Sequence, residues 1–351
     1  YNFYEVKMKF LHTADIHLGA KNIKLSLDKQ SQIRAEQNAL ISRLFDRTGE
    51  NYDAVLICGD LFHNKSVPAG ISSNFFRAVE EFGRPVLYIK GNHDEKFDFK
   101  NLPSNFVILD EDNPFVSFGD TVIYGQVSPE TISKSYDKTK TNILMLHGDI
   151  QNRTSGDFID VHQYVDKFDF KYVALGHVHS YSEFKLNKSV MVYSGSLFSN
   201  GFDESGDKGF VEIDTDELKF TFHPFATRRY MICSCDITDI LSYKDMLNKI
   251  KAELSKNACK ESDLIRIILT GYYTEESNKY INAMKTELSN YFYLEIVNQS
   301  KLKIDFDKIK EDTLSFKAEF LLLVEQNESG AVKEKICQLG IEALRGDDIS
   351  I

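Results

Sequence analysis

The stretch Val55-Leu56-Ile57-Cys58-Gly59-Asp60-Leu61-Phe62-His63 constrains this chain more than any other. Four apolar residues without polar alternation suit a strand covered on both faces, as in a parallel sheet. Gly59 lets the backbone turn sharply, so Asp60 projects from the carboxyl end of that strand. In open α/β sheets, ligands bind in the crevice beyond the carboxyl ends. A Gly-Asp turn is common, and capping the next segment is its plain structural role. Asp60 gains weight because four other strand ends finish in metal-ligand residue types.

The first strand, Met8 to His12, runs into Thr13-Ala14-Asp15-Ile16-His17-Leu18-Gly19. Ile33, Leu40, Ile41, Leu44 and Phe45 recur at helical spacing and predict an amphipathic helix over 28–48. After strand 53–58 comes a helix at 69–82, then a strand from Pro85 to Ile89 that ends in Gly91-Asn92-His93-Asp94. Short strands at 106–109, 115–118 and 121–125 follow. Strand Asn142 to Leu146 ends at His147-Gly148, and strand Lys171 to Leu175 ends at Gly176-His177-Val178-His179. Strands at 190–194, 209–214 and 218–223 close this region before Pro224. Beyond it, strands at 230–237, 263–272 and 292–297 alternate with helices at 239–255 and 275–288. That pattern reads as a small separate α/β domain. Helices at 314–326 and 331–344 form a hairpin around Asn327-Glu328-Ser329-Gly330. The expected division is 8–225, 226–307 and 308–351.

In an extended segment, residues two apart point the same way. Asp15 with His17, and His177 with His179, can therefore aim into one crevice with Asp60, Asn92 and His147. Carboxylate, imidazole and amide oxygen without thiolate suit manganese, iron or zinc, and the set is too rich in imidazole for calcium. So many donors imply two ions bridged by a carboxylate. Ions about 3.5–4 Å apart suit in-line displacement at phosphorus, where they hold the phosphate and activate water. Six of the nine histidines fall in these segments. His12, His162 and His223 are expected to be structural or at the surface. Cys58 belongs to the core, and Cys233 and Cys235 share one strand face as packing residues.

At 351 residues the chain has room for two domains. Its net charge of −11 does not advertise a polyanion partner. Contact with nucleic acid must then come from local basic segments, such as Lys21, Lys24, Lys29 and Arg34, which face Asp28 as the one acid between Gly19 and Arg34. No apolar run approaches the roughly 20 residues that span a bilayer, and no signal-peptide pattern opens the chain. No membrane association is expected. Five scattered cysteines without zinc-finger spacing point to a reducing, cytoplasmic setting.

Asp-x-His, Gly-Asp, Gly-Asn-His-Asp, His-Gly and Gly-His-x-His in this order resemble the calcineurin-like metallophosphoesterase superfamily. Four segments are similar to the SbcD-type DNA nucleases and their YhaO-like relatives: Phe10 to Gly19, Gly59 to His63, Ala174 to His179, and Tyr193-Ser194-Gly195-Ser196. The resemblance implies a four-layer α/β/β/α sandwich with a smaller α/β capping domain and a C-terminal helical hairpin. It assigns Asp15, His17 and His179 to one metal, Asn92, His147 and His177 to the other, and Asp60 to the bridge. His93 resembles the catalytic histidine, Asp94 the residue that orients it, and His63 a histidine that places the substrate. Two manganese ions, 3′→5′ exonuclease action on duplex DNA and endonuclease action on single strands are implied.

The same resemblance implies a partner, an SbcC-like coiled-coil ABC-type ATPase. Leu314, Phe316, Phe320, Leu321 and Val324 on one helix, with Val332, Ile336, Leu339 and Ala343 on the next, supply apolar faces for it or for the chain's own cap. Relatives usually follow Gly-Asn-His-Asp with a helix that builds a dimer interface. Here Glu95 to Pro103 is a poor helix, so a homodimer through helix 69–82 is expected to have different geometry. The rival function is a metallophosphoesterase acting on small phosphoesters or phosphoproteins with the same metal chemistry.

Overall fold

All five residues of the strand Ala54–Cys58 are buried, and the two sides of that strand feed different cores. Val55 and Ile57 pack beneath helices, whereas Ala54, Leu56 and Cys58 turn toward a second sheet. The computed structural model describes residues 8–20, 25–48, 51–63, 67–94, 97–240, 242–273, 275–312 and 314–345.

The first sheet contains β1 (Lys9–Thr13), β2 (Ala54–Cys58), β3 (Val86–Ile89), β4 (Phe106–Ile108), β11 (Gly209–Asp214) and β12 (Lys219–Pro224), in the order β12-β11-β1-β2-β3-β4. Strands β1 to β4 run parallel, and β11 and β12 extend the sheet antiparallel. The second sheet contains β5 (Phe115–Phe118), β6 (Thr121–Tyr124), β7 (Thr141–His147), β8 (Phe170–Gly176), β9 (Ser182–Leu186) and β10 (Ser189–Tyr193), in the order β5-β6-β7-β8-β10-β9. Its central strands β6, β7, β8 and β10 are parallel.

Helices α1 (Leu27–Thr48) and α2 (Ala69–Phe82) cover the outer face of the first sheet. In α2 the buried residues Phe75, Ala78, Val79 and Phe82 follow helical spacing, and Gly83 ends the helix in the left-handed conformation. Two short helices, α3 (Pro129–Ser133) and α4 (His162–Val165), cover the outer face of the second sheet through Ile132, Tyr164 and Val165. Between the sheets lies a core of Phe10, Leu56, Leu87, Ile143, Met145, Tyr172 and Val192, among others. The layers are therefore α/β/β/α, the sandwich implied by the resemblance.

Residues 97–100 form no helix. Phe97 instead stacks on Phe62 with ring centroids 4.0 Å apart, and Phe99 packs on Tyr88. Aromatic burial anchors the segment after the Asn-His-Asp turn.

The chain divides into two units, one of Tyr1–Ile232, Lys260–Arg266 and Tyr291–Tyr293, the other of Cys233–Cys259, Ile267–Asn290 and Leu294–Ile351. A three-stranded sheet of β13 (Tyr230–Asp236), β14 (Leu264–Thr270) and β16 (Tyr293–Asn298) lies mostly in the second unit, with α5 (Tyr243–Lys256) and α6 (Glu275–Glu287). Two-residue strands β15 (Tyr272–Tyr273) and β17 (Lys301–Leu302) pair beside it. Helices α7 (Phe306–Glu311), α8 (Phe316–Asn327) and α9 (Gly330–Arg345) share a small core of Leu321, Val324, Cys337 and Ile341. Leu314, Phe316, Leu323 and Val332 stay exposed. Among the described residues no helix is long and apolar enough to cross a membrane.

Candidate metal centre at the strand ends

The carboxyl ends of β1, β2 and β3 from one sheet meet those of β7 and β8 from the other. The connecting backbone is locked by hydrogen bonds from Asp15 N to Gly59 O (3.1 Å), His17 N to Asp60 O (2.9 Å) and Leu18 N to Leu61 O (2.9 Å). Four non-glycine residues of the site hold positive φ: Asp15 (50°), His17 (47°), Asp60 (50°) and His177 (103°). Each such backbone costs roughly 1–3 kcal/mol, strain that proteins concentrate at functional sites. A side chain on Gly59 would run into the His147 ring, and one on Gly91 into Asp60. The Gly-Asp and Gly-Asn-His-Asp turns are thus tied to close approach.

Asp60 lies in the middle. Its Oδ2 is 3.6 Å from His17 Nε2 and 3.5 Å from His147 Nε2, so one oxygen faces two imidazoles. Around His17 stand His179, with Nε2 3.1 Å from His17 Nε2, and Asp15, with Oδ1 3.8 Å from His179 Nε2. Beside His147 stands Asn92, with Oδ1 3.0 Å from His147 Nε2. The His177 ring packs edge-on to His147 at 5.5 Å, and its backbone N–H donates to the Asp15 carboxylate at 3.0 Å. Asp15, His17 and His179 form one potential ion-binding group, and Asp15, Asp60 and His147 another.

His147 is matched to its partners only with an added positive charge, a proton or a metal ion. His147 Nδ1 lies 2.9 Å from Cys58 O, and a carbonyl accepts only, so Nδ1 carries a proton. Nε2 then faces the oxygens of Asn92 and Asp60 and needs a proton or a metal ion. Burial alone would lower the His147 pKa, but the Asp60 hydrogen bond and the charges of Asp15 and Asp60 raise it to about 9. Asp60, against burial, is held at about 2 by the hydrogen bond and charge of His147. Burial pushes the Asp15 carboxyl up to about 6 and drives His17 down to about 4. Among the described residues the buried Nδ1 of His17 has no hydrogen-bond partner. Divalent cations would replace the proton on His147 and restore Asp15 to its ionised form. The donor set, oxygen and imidazole only, fits such ions.

His63 and His93 line the approach. The His93 ring is 4.9 Å from that of His17, and the His63 ring is 5.6 Å from His17 and stacked 5.8 Å from His93. Among the described residues the Asp94 carboxylate makes no hydrogen bond to the His93 ring that the resemblance has it orient. The carboxylate is taken by Leu61 N (2.9 Å), Phe62 N (2.9 Å), Tyr88 Oη (2.6 Å) and Gly91 N (3.4 Å). His93 is oriented instead by its Nδ1 against His63 O at 3.2 Å and its N–H on Asp60 Oδ1 at 2.9 Å. Of the basic residues expected to meet DNA, Lys21 and Lys24 lie outside the described residues. Lys29 is half-buried, with its ammonium 5.4 Å over the Phe292 ring.

One residue was missed. Glu204 Oε1 sits 2.7 Å from His179 Nδ1. It comes from a single 3-10 turn, Phe202–Glu204, where no strand end or periodicity marks it.

Residues 8–181 match the calcineurin-like phosphoesterase family, and this part of the chain is a calcineurin-like metallophosphoesterase domain. More narrowly, the chain is 27% identical over 286 residues to the SbcD subunit of the SbcCD nuclease of Staphylococcus epidermidis, covering 67% of this chain and 74% of that protein. The resemblance to SbcD-type nucleases read from four short segments therefore extends over two thirds of the sequence. Solved structures are more distant. The protein TT1561 of Thermus thermophilus shares 14% identity with a TM-score of 0.44 over 63% of this chain and 100% of that one. A conserved uncharacterized protein from Streptococcus pneumoniae shares 16% with a TM-score of 0.30, over 60% and 84%. These likenesses are too loose to define the fold more closely than its own sheets do.

Proposed function

We propose that the chain is a two-metal-dependent DNA nuclease, a 3′→5′ exonuclease on duplex ends and an endonuclease on single strands, with manganese as the working ion. The observation that carries this reading is Asp60 Oδ2 between His17 and His147, in a chain similar to an SbcCD nuclease subunit. Asp15, His17 and His179 would hold one ion and Asn92, His147 and His177 the other, with Asp60 common to both. When bound, such ions neutralise charge on the phosphate and supply an activated water nucleophile.

The chain's own groups do the rest. His93, fixed by Asp60 and His63, donates a proton to the leaving 3′ oxygen or offsets its charge. His63 contacts the flanking phosphate and places the strand. Residues 8–225 form the nuclease domain, 226–307 the cap and 308–351 a docking hairpin for an SbcC-like ATPase. Exposed Phe316, Leu323 and Val332 suit that last role. A homodimer through α2 completes the assembly, and a light-scattering mass of one chain at micromolar concentration would remove it.

The test is manganese-dependent release of nucleotides from duplex DNA, run beside hydrolysis of p-nitrophenyl phosphate. Nucleotide release that disappears in Asp60→Asn supports the reading. Robust turnover of the small ester with DNA left intact sinks it and favours the small-substrate phosphoesterase.

A further inference from the structure

His179 is held by three residues of the segment 196–208. Its ring Nδ1 lies 2.7 Å from Glu204 Oε1, and its carbonyl accepts from Ser196 N at 3.3 Å and from the Lys208 ammonium. Glu204 is itself fixed. Its Oε2 accepts from Asn200 N at 3.0 Å, and its carbonyl accepts from Ser199 Oγ at 2.7 Å. Lys208 is buried, at 2% exposure. A carboxylate accepts and never donates, so His179 carries its proton on Nδ1. In the neutral ring that leaves the Nε2 lone pair directed at Asp15 Oδ1 and His17 Nε2.

We propose that Glu204 is a positioning residue for the ion held by Asp15, His17 and His179. It fixes the tautomer and the ring orientation of His179, so that only Nε2 is offered to a divalent cation. A carboxylate behind a ligating imidazole also raises its basicity, and losing such a partner typically weakens metal affinity about 10–100-fold. The residues that would hold the other ion, Asn92, His147 and His177, make no hydrogen bond or ion pair with Glu204 among the described residues. The affinity for that ion stays unchanged when Glu204 is altered. The proposal rests on the two-metal reading above.

The experiment titrates the metal-free full chain with Mn2+ alone, following free Mn2+ by electron paramagnetic resonance, and compares wild type, Glu204→Leu and Glu204→Gln. Wild type takes up two equivalents. Glu204→Leu keeps one at wild-type affinity and weakens the other about 10–100-fold. Glu204→Gln, whose amide oxygen still accepts from Nδ1, recovers most of the loss. Histidine-ring 15N spectra of the metal-free proteins give a readout without metal: His179 appears as the Nδ1–H tautomer in wild type and Glu204→Gln, and shifts toward Nε2–H in Glu204→Leu. Identical isotherms for wild type and Glu204→Leu overturn the proposal. Equal weakening of both ions in the leucine and glutamine variants overturns it too, since Glu204 would then support the fold rather than one ligand. Fewer than two equivalents in wild type overturns the two-metal reading, a failure separable from that of Glu204.

Discussion

Asp60 and Asp94 close neighbouring strands of one sheet, and both are buried, at 2% and 0% exposure. Their surroundings are opposite. Asp94 accepts from three backbone N–H groups and the Tyr88 hydroxyl. Two of those donors, Leu61 and Phe62, directly follow Asp60, so Asp94 shapes the turn that presents it. Asp60 has one backbone donor, His93 N, on Oδ1, and turns Oδ2 toward two imidazoles. A buried carboxylate whose valence is spent on donors builds structure, and one with valence to spare is a ligand. Burial and residue type alone do not separate the two.

The comparison breaks most sharply on activity. Asp60→Asn is expected to lower manganese-dependent phosphodiester hydrolysis about a thousand-fold, the scale set by removing a preorganised charge at the reacting centre. Its cost to the unfolding free energy of the metal-free protein should be smaller than that of Asp94→Asn, since Asp60 holds one backbone bond and Asp94 three. A substitution at Asp60 that unfolds the protein while sparing turnover would reverse the two roles.

Asp94→Asn places an amide N–H2 among donors and leaves the Leu61 and Phe62 amides competing for one oxygen. Breaking a buried charged network in this way costs about 3–5 kcal/mol, measured as the midpoint shift in urea at constant m. Tyr88→Phe removes one donor at 2.6 Å and keeps the carboxylate. The expected loss is about 1.5–3 kcal/mol, with turnover changed less than tenfold. A larger effect of Tyr88→Phe on turnover than on stability would place Asp94 back in the chemistry.

Much of the sandwich could be read from the chain because its central strands are covered twice and so appear as unbroken apolar runs, as at Val55 to Cys58. The strand ends were legible for the same reason, since each run stops at a polar cluster. The edge strand β9, Ser182–Leu186, was not. It alternates Glu183 and Lys185 with half-buried positions and presents no run. The bonds of Asp94 were not legible either: the resemblance links it to His93, whereas the turn directs its carboxylate back onto Leu61 and Phe62. Glu204 was invisible because it reaches His179 across 25 residues from one irregular turn.

His12 and His17 repeat the contrast in imidazole form and give the smallest effect. His12, fully buried in the inter-sheet core, has its Nδ1 2.9 Å from Tyr172 Oη and its Nε2 3.2 Å from Leu175 O, so the neutral ring is satisfied on both sides. Burial drives its pKa from 6.5 to about 3. Between those values the unfolded chain binds a proton that the folded chain refuses, so folding stability falls as pH drops below 6.5 and the loss is complete near 3. The slope approaches about 1.4 kcal/mol per pH unit. In His12→Gln that slope is absent. The variant is less stable than wild type at pH 7, where the satisfied ring is lost, and the gap narrows by roughly 1 kcal/mol per unit on acidification toward pH 5. Urea unfolding of both metal-free proteins at pH 7, 6 and 5 checks this, and parallel curves would mean that His12 is no more neutral in the fold than in the unfolded chain. His17 shares the downward shift but leaves Nδ1 unpartnered among the described residues, which marks it, like Asp60, as a side chain held for something other than packing.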